Sequence, residues 1–212
     1  MKLLLIADEV DRYLFDYYRP GRLKDVDLIL SAGDLKAEYL SFLVTMANRP
    51  LLYVPGNHDG SYATQPPEGC ECIDGWLVTV NGLRIVGLVG SALYNGCPHQ
   101  YSERQMARRI RRLQFQLWRA GGVDIVLTHA PARGCGDQED PAHRGFEAFL
   151  PLLDRWQPPL LVHGHVHQRY QALEGRVHRY GETVLLNACG RCTVEMDGRK
   201  LVLPENLILF SD

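Results

Sequence analysis

Short runs rich in leucine, isoleucine and valine alternate with amphipathic segments in the first quarter of the chain. The runs cover residues 2–7, 27–31 and 51–54, and the segments between them, 10–18 and 36–47, have the spacing of helices. Apolar runs of this length without alternation are typical of strands that are buried on both faces. The order therefore predicts a β-α-β-α-β unit with a parallel sheet.

The middle of the chain predicts a hairpin and a long helix. Asn81-Gly82, a dipeptide that accepts positive φ at both positions, separates two strand-like runs and favours a two-residue hairpin turn. Ser102 and Gln105 resemble a capping box, and Gly121-Gly122 resembles a helix end. We expect a helix over residues 102–120. Its buried face is predicted from helical spacing to carry Met106, Ile110, Leu113 and Leu117.

The second half of the chain is richer in strands. A buried strand is predicted at residues 123–127, a helix at 146–155 and another strand at 160–162. Further strands are predicted at residues 183–187, 191–196 and 207–210. An alternating first half and a strand-rich second half favour an α/β fold of two mixed sheets packed face to face, with helices outside. We expect residues 1–212 to form a single domain, because the length suffices for one substantial core.

The charge of the chain limits its partners. Its 212 residues are 46% hydrophobic and 23% charged, with a net charge of −2, which gives no general attraction to nucleic acid or to an anionic membrane. The opening apolar run stops at Asp8, too early for a signal peptide or a membrane span, and we expect a cytoplasmic protein. One face of the predicted long helix is basic, but it lacks interleaved aromatic residues and is expected to be solvated. Its arginines are Arg104, Arg108, Arg109, Arg111, Arg112 and Arg119.

The cysteines do not indicate a structural metal or a disulfide framework. The six residues lack the paired spacing of a zinc ribbon, and a cytoplasmic chain of this size does not need disulfides. Cys189 and Cys192 match the spacing of a redox CxxC motif, but they lie between two strand-like runs rather than between a strand and a helix. We therefore expect reduced thiols.

Polar residues that bind metals follow the predicted strands in a fixed order. Asp, Asn and His supply the oxygen and nitrogen donors that hold paired divalent cations, and the ends of strands direct such side chains into a common crevice. The order predicts a two-metal centre that hydrolyses phosphoesters. The clusters are Asp8, Gly33-Asp34, Gly56-Asn57-His58-Asp59, Thr128-His129 and Gly164-His165-Val166-His167.

These clusters resemble the calcineurin-like metallophosphoesterase superfamily, whose blocks are DxH, GD, GNH(D/E), a lone His and GHxH. The resemblance spans nearly the entire chain and implies the four-layer αββα sandwich of that superfamily. Within it, Thr128-His-Ala-Pro131, His143-Arg-Gly145 and Asn187-Ala188 are most similar to the small metallophosphoesterase-domain proteins, a branch with several bacterial members whose function is not established.

The resemblance implies a role for each cluster. Asp34 would bridge two cations, with Asp8 and His167 completing a first site. The second site would be completed by Asn57, His129 and His165. A hydroxide between the cations would attack phosphorus, and His58, oriented by Asp59, would donate the proton that the leaving oxygen needs. Manganese is the expected metal, and iron, nickel, zinc and magnesium also suit these ligands.

Val10 departs from the superfamily pattern, because it stands where the first block has a histidine. An aliphatic side chain cannot bind a cation, so the first site retains two carboxylates and one imidazole. We expect this site to be weak, exchangeable or empty. Glu9 is a candidate substitute ligand, although neighbouring side chains at a strand end diverge.

The substrate is left open by these residues. His143, Arg144 and His99 lie in loops rich in glycine and proline and are candidate contacts for phosphate oxygens. We expect a small phosphorylated substrate, either a monoester or a diester such as a nucleotide or cyclic nucleotide, selected by the loop at residues 60–75. One alternative is a non-catalytic or weakly active module that binds metal or nucleotide, supported by Val10. A nuclease is the third, and the oligomeric state is not indicated.

Overall fold

A computed structural model describes residues 1–167 and 175–204. The first of its two large sheets is built from both ends of the described chain. Its strands are β1 (Lys2–Ala7), β2 (Leu28–Ser31), β3 (Leu51–Tyr53), β4 (Glu71–Cys72), β13 (Gly190–Asp197) and β14 (Lys200–Val202). Their order across the sheet is β14-β13-β1-β2-β3-β4. Strands β1 to β4 run parallel, whereas β13 is antiparallel to β1.

The second sheet comes from the middle of the chain. Its strands are β5 (Leu77–Val80), β6 (Leu83–Leu88), β9 (Ile125–Thr128), β10 (Leu160–His163), β11 (Val177–Tyr180) and β12 (Thr183–Asn187). Their order is β11-β12-β10-β9-β6-β5, and the four central strands are parallel. A small separate pair joins β7 (Ser91–Ala92) to β8 (Gln100–Tyr101).

Helices cover the outer faces of the two sheets. They are α1 (Ala37–Ala47), α2 (Glu103–Arg119) and α3 (Leu150–Trp156), with 3₁₀-helices at Asp59–Ala63 and Glu147–Phe149. Strand β1 shows how one strand serves two layers, because its side chains alternate between faces. Leu3 and Leu5 pack between the sheets, whereas Leu4 and Ile6 join the apolar cluster beneath α1. Helices α2 and α3 pack on the outer face of the second sheet. This confirms the predicted αββα sandwich.

The predicted hairpin and long helix are present. Asn81 and Gly82 have φ of 50° and 85°, and they join β5 to β6. Ser102 accepts a hydrogen bond from the amide of Gln105 while the Gln105 side chain accepts from the amide of Ser102, which is the predicted capping box. The predicted apolar positions of α2 are all buried. Within its arginine face, Arg109 is bound by Asp74 and lies over the ring of Tyr101.

The predicted helix at residues 10–18 does not form. The segment contains successive turns instead, with amides bonded to carbonyls three, four or five residues earlier. The guanidinium of Arg22 binds the carbonyl oxygens of Tyr13 and Tyr17, which a longer helix would need for its own ladder. Phe15 also packs edge-on against Tyr39 of α1. Contacts from outside the segment therefore override its local helical spacing.

The strand predicted at residues 207–210 lies outside the described residues. Strands β4, β7, β8, β11 and β14 were not among the predicted ones, and they have only two to four residues each. Such short runs carry little periodicity. Within residues 1–167 and 175–204, every helix is too short or too polar to cross a bilayer.

Candidate metal centre

The predicted ligands lie where parallel strands of the two sheets end at a common edge. Asp8 directly follows β1, and Asp34 lies shortly after β2. His129 directly follows β9, and His165 follows β10 after one intervening glycine. Because the ends of parallel strands in both sheets face the same side, the topology brings together residues that are far apart in sequence.

Unusual backbone conformations direct these side chains. Asp8, Asp34 and His165 have φ of 62°, 56° and 69°. Asp8 and His165 are also the central residues of three-residue turns, closed by hydrogen bonds from Glu9 to Ala7 (2.6 Å) and from Val166 to Gly164 (2.8 Å). Residues other than glycine in such conformations cost about 1–3 kcal/mol each and cluster at functional sites.

Three acceptor atoms surround the Nε2 atom of His129. Asn57 Oδ1 lies 3.0 Å away, His165 Nδ1 lies 3.1 Å away, and Asp34 Oδ2 lies 3.3 Å away. The ligand atoms of the two histidines and the aspartate all lie within 4.8 Å of one another. His129 is fully buried, and Asn57 and His165 are nearly so.

Contacts outside this cluster determine which atoms face inward. Carbonyl oxygens only accept hydrogen bonds, so His129 Nδ1 donates to Ala32 O (2.7 Å) and His165 Nε2 donates to Ala142 O (2.5 Å). Asn57 Nδ2 donates to Tyr94 Oη (3.3 Å), which turns Oδ1 of Asn57 inward. If both imidazoles were neutral, His129 Nε2 and His165 Nδ1 would therefore face each other as bare lone pairs. Four converging acceptors require a positive charge between them, and this donor set fits a divalent cation.

The pKa values of these groups reflect the same excess of acceptors. Burial lowers the pKa of His129, but the charge of Asp34 outweighs burial and raises that pKa to about 9. Burial raises the pKa of Asp34, but His129 and the amide of His58 outweigh burial and lower it to about 2. Burial and the charge of His129 lower the pKa of His165 to about 3. The cluster thus holds one proton, on His129, when no other cation is bound.

The predicted first site lies beside this cluster. Both carboxylate oxygens of Asp8 accept the amide of His165, at 2.9 and 3.1 Å. Burial raises the pKa of Asp8, and the charges of His129 and His167 oppose that rise. His167 is half exposed, with its Nδ1 atom 3.7 Å from Glu9 Oε1. Val10 packs against the outer apolar cluster of the first sheet.

His58 and Asp59 have different environments. The His58 amide donates to Asp34 Oδ1 (2.8 Å), and the residue is exposed. The sequence predicts that Asp59 orients the His58 ring, but Asp59 Oδ2 instead accepts the amides of Asp34 (2.7 Å) and Gly56 (2.8 Å). Burial raises the pKa of Asp59 to about 6. The observed role of Asp59 is therefore to join the two loops that carry Asp34 and Asn57.

The predicted substrate contacts lie at different distances from the cluster. The ring of His143 is 5.4 Å from that of His165, and its Nδ1 atom is 3.0 Å from Asp140. His99 is partly buried, and burial lowers its pKa, with the charges of Asp34 and His129 also acting on it. His143 therefore borders the centre, and the contact of His99 with substrate stays a prediction. Arg144 is exposed, and its contact with substrate stays a prediction.

Several residues of the site were not predicted from the sequence. Tyr94 and the carbonyl of Ala142 orient two of the ligands, and Cys189 lies close to His167. The first two act from irregular loops, where no periodic signal marks them. Cys189 does stand directly after the Asn187-Ala188 block that ends a predicted strand, so the rule that located the other ligands also indicates this position.

Gly56 provides a test of how tightly the centre is packed. A Cβ atom at Gly56 would overlap the Asp34 carboxylate and lie 2.7 Å from His129 Cε1. At Gly60, in the same loop, a Cβ atom would meet Pro98 at an ordinary 3.5 Å. We expect Gly56→Ala to weaken Mn²⁺ binding by at least about tenfold, as displaced metal-site geometry usually does. Gly60→Ala is the matched control, and equal calorimetric affinities for the two variants would contradict the described packing.

The proton on His129 predicts how metal binding depends on pH. Because the raised pKa keeps this imidazole protonated below about pH 9, an entering cation must displace the proton. We expect affinity for Mn²⁺ to rise with pH up to that value and then to level off. Calorimetry in buffers of different ionisation enthalpy should detect release of about one proton per cation near neutral pH. Binding without proton release would show that His129 is not a ligand.

Known proteins resemble this chain in sequence and in fold. UPF0046 protein K07C11.7 of Caenorhabditis elegans is 25% identical over 186 residues, which cover 77% of this chain and 62% of that relative. The chain thus spans about three fifths of the length of this curated relative. The crystal structure of TT1561 of Thermus thermophilus has a TM-score of 0.62 at 16% identity and covers 95% of this chain and 96% of its own. A further crystal structure has a TM-score of 0.69 at 15% identity, with 97% and 98% of the chains covered.

The family comparison is more specific than the likeness in fold. Residues 7–169 match the calcineurin-like phosphoesterase family, a range that begins just before Asp8 and includes the other predicted ligands. It also extends well beyond half of the chain. The chain therefore belongs to the calcineurin-like phosphoesterase family.

Proposed function

We propose that the protein is a metal-dependent phosphoesterase that hydrolyses a small phosphomonoester or phosphodiester. The observation that carries this proposal is the convergence of Asp34, Asn57 and His165 on the inward nitrogen of His129. A polar cluster that is buried and short of donors is costly without a cation. Membership of the calcineurin-like phosphoesterase family supports the same reaction class.

Some of these side chains are proposed to bind cations, and others hold the ligands in position. Asp34 has one carboxylate oxygen 3.3 Å from His129 Nε2 and is the proposed bridge between the two sites. Asn57, His129 and His165 complete one site, and Asp8 and His167 contribute to the other. When bound, divalent cations supply a nucleophile at neutral pH and neutralise phosphate charge. Asp59 keeps the Asp34 and Gly56 loops in register, so the ligands meet without rearrangement.

His58 is the proposed proton donor. Its backbone is fixed against Asp34, whereas the residue itself is exposed at the rim of the centre. An imidazole in this position reaches solvent and substrate without being committed to a cation. Proton donation to the leaving oxygen typically contributes a rate factor of about 10²–10⁴.

Substrate binding is proposed for the loops around the centre. His143 borders the ligands, Arg144 follows it in the same loop, and His99 is a further proposed contact. These groups suit phosphate oxygens in a monoester or a diester, including a nucleotide or cyclic nucleotide. The segment after the GNHD block contains a 3₁₀-helix and the edge strand β4, and we propose that it selects the rest of the substrate.

Two alternatives differ in their support. Val10 favours a non-catalytic module, since it removes one expected ligand and packs into the apolar cluster instead. A nuclease requires the arginine-rich helix to border the crevice. That helix packs through its apolar face on the outside of the second sheet, so the nuclease is the weaker alternative.

Hydrolysis of chromogenic phosphate monoesters and diesters with added Mn²⁺ tests the proposal. We expect turnover that needs the cation and falls by about 10²–10⁴-fold in His58→Ala, with Mn²⁺ affinity little changed, because His58 acts on the leaving group. His178→Ala, on β11, is the matched histidine control and should retain activity.

The results separate the candidate functions. If Mn²⁺ binds but neither ester class is hydrolysed with any divalent cation, the binding module is favoured over the enzyme. If His58→Ala and His178→Ala are equally active, His58 is not the proton donor.

A further inference from the structure

A second group of metal-binding side chains lies next to the proposed centre. The ligand atoms of Glu9, His167 and Cys189 lie within 4.8 Å of one another. Glu9 and His167 have been considered above, but the thiol brings a different donor chemistry. Cys189 is 2% exposed, whereas Glu9 and His167 have side chains 63% and 49% exposed. The group therefore opens to solvent on one side and ends in a buried sulfur on the other.

The fold fixes the position of Cys189 relative to the first site. The backbone of Cys189 forms an isolated parallel β-bridge with Ala7, the residue before Asp8. The buried side chain of Asn187 accepts the Cys189 amide (2.9 Å) and donates to the carbonyl of Val166 (2.8 Å). This one amide group joins the segment that carries Cys189 to the loop that carries His167. The thiol is thus positioned by the same framework as the predicted ligands.

We propose that Glu9 and Cys189 replace the missing histidine of the first site. Glu9, His167 and Cys189 then supply a carboxylate, an imidazole and a thiolate to the cation that Asp8 and the bridging Asp34 also hold. This inference rests on the proposed function, because it assumes that the strand ends hold two cations. The adjacent Glu9 and Cys189, two residues after β12, then make up for the histidine that Val10 replaces.

The thiolate changes which metals suit the site. On binding, the Cys189 S–H bond breaks, its proton goes to solvent, and the sulfur electron pair binds the cation, with no change in oxidation state. Mixed cysteine, histidine and carboxylate ligands favour zinc, and thiolates favour softer ions over manganese or magnesium. The two sites therefore differ in preference: zinc, iron or cobalt at the first, and a broader range at the all-nitrogen-and-oxygen second.

Co²⁺ is the appropriate probe, because its absorption spectrum distinguishes sulfur from nitrogen and oxygen ligands. Titration of the purified protein with Co²⁺ should produce a near-ultraviolet sulfur-to-cobalt charge-transfer band together with the visible bands of the bound ion. Cys189→Ser should lose the charge-transfer band and weaken binding at one of two sites by at least about tenfold. Cys192→Ser, the other cysteine of the CxxC pair, is the matched control and should retain the band. Glu9→Gln should retain the band but bind that ion more weakly.

The spectra separate failure of this inference from failure of the proposed function. Two Co²⁺ ions per chain without a charge-transfer band would leave the metal centre standing and overturn thiolate ligation. A band that persists in Cys189→Ser, or disappears in Cys192→Ser, would overturn the assignment to Cys189. No bound Co²⁺ in the wild-type protein would overturn both proposals.

Discussion

The site depends on one constraint: several hydrogen-bond acceptors converge on His129, with too few protons to bond them all. Ala32 and Ala142 each take up the outward N–H of a histidine, and Tyr94 takes up the amide N–H of Asn57. The inward atoms are consequently all acceptors, in a buried space where uncompensated negative potential is costly. A proton on His129 relieves this arrangement partly, and a divalent cation relieves it more fully. The fold therefore produces a negative potential at this point, which favours the binding of a cation.

The remaining structure can be understood as support for that arrangement. Two sheets pack through apolar side chains, and the parallel strands of each end at the same edge. Positive φ at Asp8, Asp34 and His165 stores strain that the packed strands on either side maintain. Gly56 permits the backbone to pass directly against two ligands, and Asp59 fastens that loop to its neighbour. Strain and close packing at the site are offset by the large apolar core beneath it.

Much of this architecture was predictable because its determinants are local. Helix α2 has a capping box, a regular apolar stripe and a terminal glycine pair, and the strands that precede the ligands are unbroken apolar runs. The ordered clusters of aspartate, asparagine and histidine likewise indicate the ligands. Residues 10–18 were mispredicted because Arg22 and Tyr39 act on them from outside the segment. Tyr94 was not predicted, and Asp59 was predicted to orient His58 instead of joining two loops. In both cases the partners lie on loops that meet only in the folded chain.

The central claim is that a divalent cation occupies the point on which Asp34, Asn57, His129 and His165 converge. Anomalous diffraction from crystals loaded with Mn²⁺ tests this directly. We expect an anomalous peak within bonding distance of both the Nε2 atom of His129 and the Nδ1 atom of His165, with an Asp34 oxygen also in the coordination sphere. A well-ordered crystal with the cation bound elsewhere, or with these four side chains bonded only to one another, would contradict it.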